Sequence, residues 1–83
     1  MPPPMLGNWS VEVKAVRPFT IHGDLYYEIH VVNPDDAAQL VALRVPEHAV
    51  EGVPQVGDKL TLTFLMGQVT SARREQGAGD TTG

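Results

Sequence analysis

Alternation of apolar and polar residues, sustained over most of the chain, limits most sharply what this chain can fold into. Between Trp9 and Ile21, the residues Trp9, Val11, Val13, Ala15, Phe19 and Ile21 share one parity, while Ser10, Glu12, Lys14 and Thr20 share the other. Successive side chains of an extended backbone point to opposite faces, so a period of two reads as a half-buried β-strand. Val16, Arg17 and Pro18 break the pattern. Proline cannot donate to a ladder, so Arg17-Pro18 is expected to mark a bulge or bend. His22-Gly23-Asp24 then supplies turn chemistry. From Leu25 to Val32 the alternation is cleanest, with Leu25, Tyr27, Ile29 and Val31 set against Tyr26, Glu28 and His30.

Asn33-Pro34-Asp35-Asp36 is a cluster of turn formers that ends this second strand. The next segment supports two readings. Asn33 as cap, Pro34 at the first helical position and two aspartates in the first turn would open a helix through residues 37–45. Alternatively, Gln39 to Val45 returns as a strand with Val41, Leu43 and Val45 inward. The strand is preferred, because Val41 and Val45 are β-branched and a helix here would be short and isolated. Pro46 ends either element, and Pro46 to Gly52 has the length and the terminal residues of one helical turn. After a connection through Val53 to Asp58, Lys59 to Phe64 alternates again with Leu60, Leu62 and Phe64 inward. Met66-Gly67-Gln68 forms a tight turn, and Val69 to Arg73 is a last short strand.

Eighty-three residues make one small domain. Residues 1–8, with Pro2 to Pro4, read as an extended lead-in, residues 9–74 as the folded domain, and residues 75–83 as a disordered tail. That tail has no apolar residue larger than alanine. There is no cysteine, so a disulfide framework, a thiolate zinc site and a thiol nucleophile are excluded together. The N-terminus lacks the basic region and apolar run of a signal peptide, and no stretch approaches the roughly 18 apolar residues of a membrane span. These features fit a cytoplasmic protein. Ten acidic residues against six Lys plus Arg give a net charge of −4, which weighs against unspecific duplex binding and against a basic membrane-facing patch.

Five short strands with one apolar face each need that face covered, and no layer of helices is on offer. Rolling the sheet up buries the face and most of the edges. Three meandering strands, a short helical connection and two further strands entered through Val56-Gly57-Asp58-Lys59-Leu60 resemble the OB-fold. The fold class is therefore all-β, a small five-stranded OB-like Greek-key barrel with one short helical turn. What the resemblance implies is a binding module, often for oligonucleotides or oligosaccharides, whose ligand platform is the face of strands two and three.

Catalytic chemistry is absent from the motifs. The glycines occur singly at turns, and Ser10 and Ser71 lack a nucleophile-elbow setting. Asp35-Asp36 reads as turn or cap chemistry. His22, His30 and His48 are scattered, and His22 with Asp24 offers too few ligands for a metal site. No enzyme, metal or cofactor is expected. The outward face of strands one to three is the informative surface, carrying Lys14, Tyr26 and His30, with Arg44 if the third strand has the register above and with Glu12 and Glu28 interleaved. A ring with nearby cations suits single-stranded nucleic acid, since bases stack on the ring while cations follow the backbone. The plain alternative is a solvated face with cross-strand pairs such as Glu28 with Lys14. Trp9 and Tyr27 carry the inward parity, and Phe19 belongs to the core or to the barrel mouth. Arg73-Arg74 serves solubility.

Two functions of different class follow. One is a module for single-stranded nucleic acid, acting through Lys14, Tyr26, His30 and Arg44. The other is a protein-interaction or assembly domain with an acidic surface, acting through exposed strand edges and the adjacent apolar pair Leu65 and Met66, with self-association as one form.

Overall fold

A computed structural model of the protein describes residues 3–75. The strands are β1 (Gly7–Ile21), β2 (Asp24–Asn33), β3 (Asp36–Pro46), β4 (Lys59–Leu65) and β5 (Gln68–Arg74), with one 3-10 turn, Glu47–Ala49, between β3 and β4. Residues 37–45 are strand and not helix. Every paired neighbour is antiparallel, in the order β3-β2-β1-β4-β5. Of the expected tail, Glu75 extends the β4–β5 pairing by donating its N–H to the Lys59 carbonyl at 2.8 Å. Residues 76–83, like Met1 and Pro2 of the lead-in, lie outside the described residues.

The core is drawn from the inward-facing residues of every strand, whose parity switches where a strand is bulged. Trp9, Val11 and Val13 of β1 pack with Tyr27, Ile29 and Val31 of β2 and with Leu60, Leu62 and Phe64 of β4. Val45, Val69 and Ala72 complete it from the outer strands, with Val41 and Leu43 partly buried against them. Trp9 and Phe64 meet edge to face, with centroids 6.1 Å apart. Such a pair adds about 0.5–1.5 kcal/mol to the burial of its rings.

The bulge in β1 falls at Lys14 and not at Arg17-Pro18. Val13 opposes Val31 and Ala15 opposes His30, so Lys14 is the extra residue, while Pro18 sits in regular register opposite Tyr27. At this point β1 changes its main partner. Residues Gly7 to Glu12 pair with β4, and residues from Ala15 onward pair with β2 alone. Val13 serves both sides, donating its N–H to the Asp58 carbonyl and accepting the Gly57 N–H, each at 2.9 Å. A bulge bends its strand and adds twist, which is what one strand shared between two halves of a rolled sheet needs. The extra residue also exchanges the faces of everything after it. Val16 therefore turns to the core, whereas Ala15 is exposed and Phe19 leaves the core parity that the alternation assigned to it.

The sheet rolls but does not close. In a flat five-stranded sheet the outer strands would stand about 19 Å apart, four spacings of about 4.8 Å. Here β3 and β5 have Cα atoms within 8 Å of each other. Among the described residues no ladder joins these two strands, and their nearest backbone link is a parallel bridge between Val50, just after the 3-10 turn, and Ala72. At this seam the last residue of β3, Pro46, has no N–H to offer to a ladder.

Local hydrogen bonds fix the connections. Asn33 does not cap a helix; its side chain is buried, its amide donates to the Ser10 carbonyl at 2.7 Å, and its Oδ1 accepts the Asp35 N–H at 2.8 Å. The Arg74 guanidinium donates to the carbonyls of Glu51 (2.7 Å) and Val53 (2.9 Å) and to Asp58 Oδ2 (3.2 Å), clasping the 51–58 connection to β5. Arg74 thus has a defined structural role beyond solubility.

Candidate nucleic-acid interface

The outer face of β1–β3 is assembled by register. Antiparallel residues directly opposite one another share a face. Phe19 opposes Tyr26, which opposes Pro46; Arg17 opposes Glu28, which opposes Arg44; Ala15 opposes His30, which opposes Ala42. Tyr26, His30 and Arg44 therefore lie on one surface, as the alternation of β2 and the strand reading of β3 required. The Phe19 and Tyr26 rings stack with centroids 5.7 Å apart and an interplanar angle of 23°. The Arg44 guanidinium carbon sits 5.5 Å from the Phe19 centroid, within cation–π range.

Lys14 does not join this cluster through its ammonium group. Its Nζ lies 3.5 Å from Glu12 Oε2, beside the bulge. Glu28 accepts from Arg17 Nη2 at 2.9 Å instead of from Lys14, so the cross-strand pair expected between Glu28 and Lys14 is replaced by one in exact register. The bulge explains both changes, because it removes Lys14 from the regular ladder and sets Arg17 opposite Glu28. Phe19 and Arg17 were not among the expected site residues. Their signal is present in the chain: an apolar residue at position 16 followed by a charged one at 17 inverts the parity immediately after Lys14.

A groove of about 510 Å³ opens beside the aromatic pair, along the unzipped seam. Tyr26, Arg44 and Pro46 line it from one side, and Gly67, Gln68 and Val69 from the other. Its size is in the range of small-molecule sites, and its lining mixes apolar surface with one cation, one phenol and one amide. Both hairpin turns that flank this face have left-handed residues. His22 and Gly23 have φ of 52° and 85°, and Met66 and Gly67 have 54° and 79°, the signature of type I′ turns.

Leu65 and Met66 are exposed at the tip of the β4–β5 hairpin. Met5 and Leu6, which precede β1, are exposed as well, and the Met5 carbonyl accepts the Gly67 N–H at 2.8 Å. The structure thus joins to Leu65 and Met66 two residues that are distant in sequence. Among the described residues no three of His, Asp or Glu are grouped to hold a metal ion, and no helix is long and apolar enough to cross a membrane. Set against known proteins, the chain matches no family model, no curated sequence and no solved structure.

Proposed function

We propose that the protein binds single-stranded nucleic acid across the outer face of β1–β3, as an OB-like barrel with an open seam. The observation that carries this reading is the Phe19–Tyr26 stack, capped by Arg44, at the lip of the groove. Rings offer stacking surface that every base can use, and a guanidinium beside them suits a phosphate. In OB folds, which are partly open five-stranded barrels, ligands lie on the face of strands two and three between the first hairpin loop and the loop joining strands four and five. The corresponding loops here are His22-Gly23 and Met66-Gly67, and the groove runs from Tyr26 to Gly67. His30 borders the same face further from the rings, beside Ala15 and Arg17.

The test is titration of a fluorescent single-stranded oligonucleotide at low ionic strength. Tyr26→Ala and Phe19→Ala should each weaken binding about fivefold or more, the lower end of one lost stacking contact. Arg44→Ala should reduce the salt dependence by about one phosphate contact. Absence of binding, or binding indifferent to Tyr26→Ala, would overturn the assignment.

A second reading, an interaction or assembly domain, is favoured by a different observation. Leu65 and Met66 stand exposed with Met5 and Leu6 on a molecule whose net charge is −4.

A further inference from the structure

We propose that the tip of the β4–β5 hairpin is a self-association surface, at which two copies of the chain meet through Met5, Leu6, Leu65 and Met66. These side chains belong to residues that are 67%, 66%, 54% and 78% exposed. The segments are held together at this tip: the Gly67 N–H is bonded to the Met5 carbonyl, and the Met5 sulfur lies over the turn, 3.3 Å from where a Gly67 Cβ would stand. Together they expose on the order of 500 Å² of largely apolar surface, toward the upper end of what monomeric proteins leave open.

The backbone points the same way. Met66 occupies the first central position of a type I′ turn at φ 54°, where asparagine, aspartate or glycine is the low-energy choice. The other such turn holds His22, a residue type that tolerates this conformation far better. A strained and highly exposed methionine is costly on both counts, and a contact that buries its side chain offsets the cost.

Charge selects the second copy as occupant. Neither Pro3 to Val11 nor Leu60 to Ala72, the described segments around this tip, contains a charged residue, and the groove beside Gly67 brings in one charged side chain, Arg44. Two molecules of net charge −4 repel one another elsewhere and meet with least repulsion here. Residues 76–83 join the described chain at the opposite end of β5 and hold no apolar side chain larger than alanine, so they do not suit the patch. A two-fold contact apposes the same residues from both copies, and unbranched methionines adapt readily to such apposition. Two patches remove at most on the order of 1,000 Å² from water, below the roughly 1,200–2,000 Å² of stable specific interfaces and in the range of transient ones. The dimer is accordingly weak and concentration-dependent.

Sedimentation velocity over a wide concentration range, without nucleic acid, tests this independently of the oligonucleotide reading. The expected result is a monomer–dimer equilibrium with a dissociation constant of about 10–1,000 μM. Met66→Asn should weaken the dimer at least about tenfold while raising the melting temperature measured at dilute, monomeric concentration, because it relieves the turn. A merely structural methionine would lower that temperature on replacement. Leu6→Lys, outside the turn, should weaken the dimer comparably with an unchanged far-UV spectrum. A strict monomer up to about 1 mM, the upper end of the expected range and a concentration at which dimer would still be detected, overturns the proposal, as does a dimer that both variants leave intact. Wild-type protein that stays monomeric yet cosediments with phosphatidylcholine vesicles, and loses this with Met66→Asn, would assign the patch to lipid and also overturn it.

Discussion

Asn33 satisfies two backbone groups far apart in sequence, one in β1 and one in the β2–β3 turn, from one buried side chain. Its amide holds the Ser10 carbonyl of β1, and its Oδ1 closes the turn into β3 through the Asp35 N–H. Removing it leaves a carbonyl and an N–H short of partners, a loss of about 1–3 kcal/mol where such groups stay buried. We expect Asn33→Ala to lower stability by that amount, read from urea unfolding followed by the fluorescence of Trp9, the sole tryptophan. Asn33→Asp keeps the acceptor but not the donor, and should fall at least as far. An unchanged midpoint for both would show that the turn closes without the side chain. Trp9 itself is the opposite case: its Nε1 is buried with no hydrogen-bond partner among the described residues, so its ring contributes by packing against Phe64 and not by polar contact.

At the scale of elements, the bulge at Lys14 decides which side chains each half of β1 presents. Its side chain is replaceable, being exposed and, among the described residues, paired with Glu12. Its backbone residue is not. Lys14→Ala should leave stability within about 0.5 kcal/mol, whereas deletion of Lys14 would rotate either Trp9, Val11 and Val13 or Val16 out of the core. The deletion should prevent cooperative folding, visible as loss of dispersion in an amide proton spectrum. The 51–58 connection depends in the same way on Arg74, whose guanidinium meets three acceptors there. Arg74→Ala should speed hydrogen exchange at the Gln55 amide, which is bonded to Asp58, by about tenfold, while Leu62 at the centre of the sheet is unaffected.

Across the whole molecule, the acidic balance works against the proposed ligand and the local face works for it. Glu28 stands opposite both Arg17 and Arg44 and, among the described residues, bonds to the former. Removing its charge should strengthen oligonucleotide binding, since a carboxylate beside phosphates repels them. Glu28→Gln is expected to tighten binding about two- to fivefold at low salt and to lose this gain at high salt. Weaker binding in that variant would mean that Glu28 serves mainly to position Arg17.

Alternation determined that the chain is β, where four of its five strands run and which face of β2 and β4 enters the core, while the turn-forming residues placed turns at His22-Gly23 and Met66-Gly67. It did so because the pleat of an extended backbone is local, and each residue's face follows from its neighbours. The third strand was legible through β-branching, against helix-start residues at 33–36 that serve a hairpin turn instead. Three properties belong to the tertiary structure. The bulge sits where β1 must pass from β4 to β2, a requirement set by distant strands, and it alone carries Phe19 and Arg17 onto the outer face with Tyr26 and Arg44. The open seam lies where the edge strands β3 and β5 approach without a ladder, and the apolar tip depends on a hydrogen bond between Met5 and Gly67, neither of which is written in any one segment.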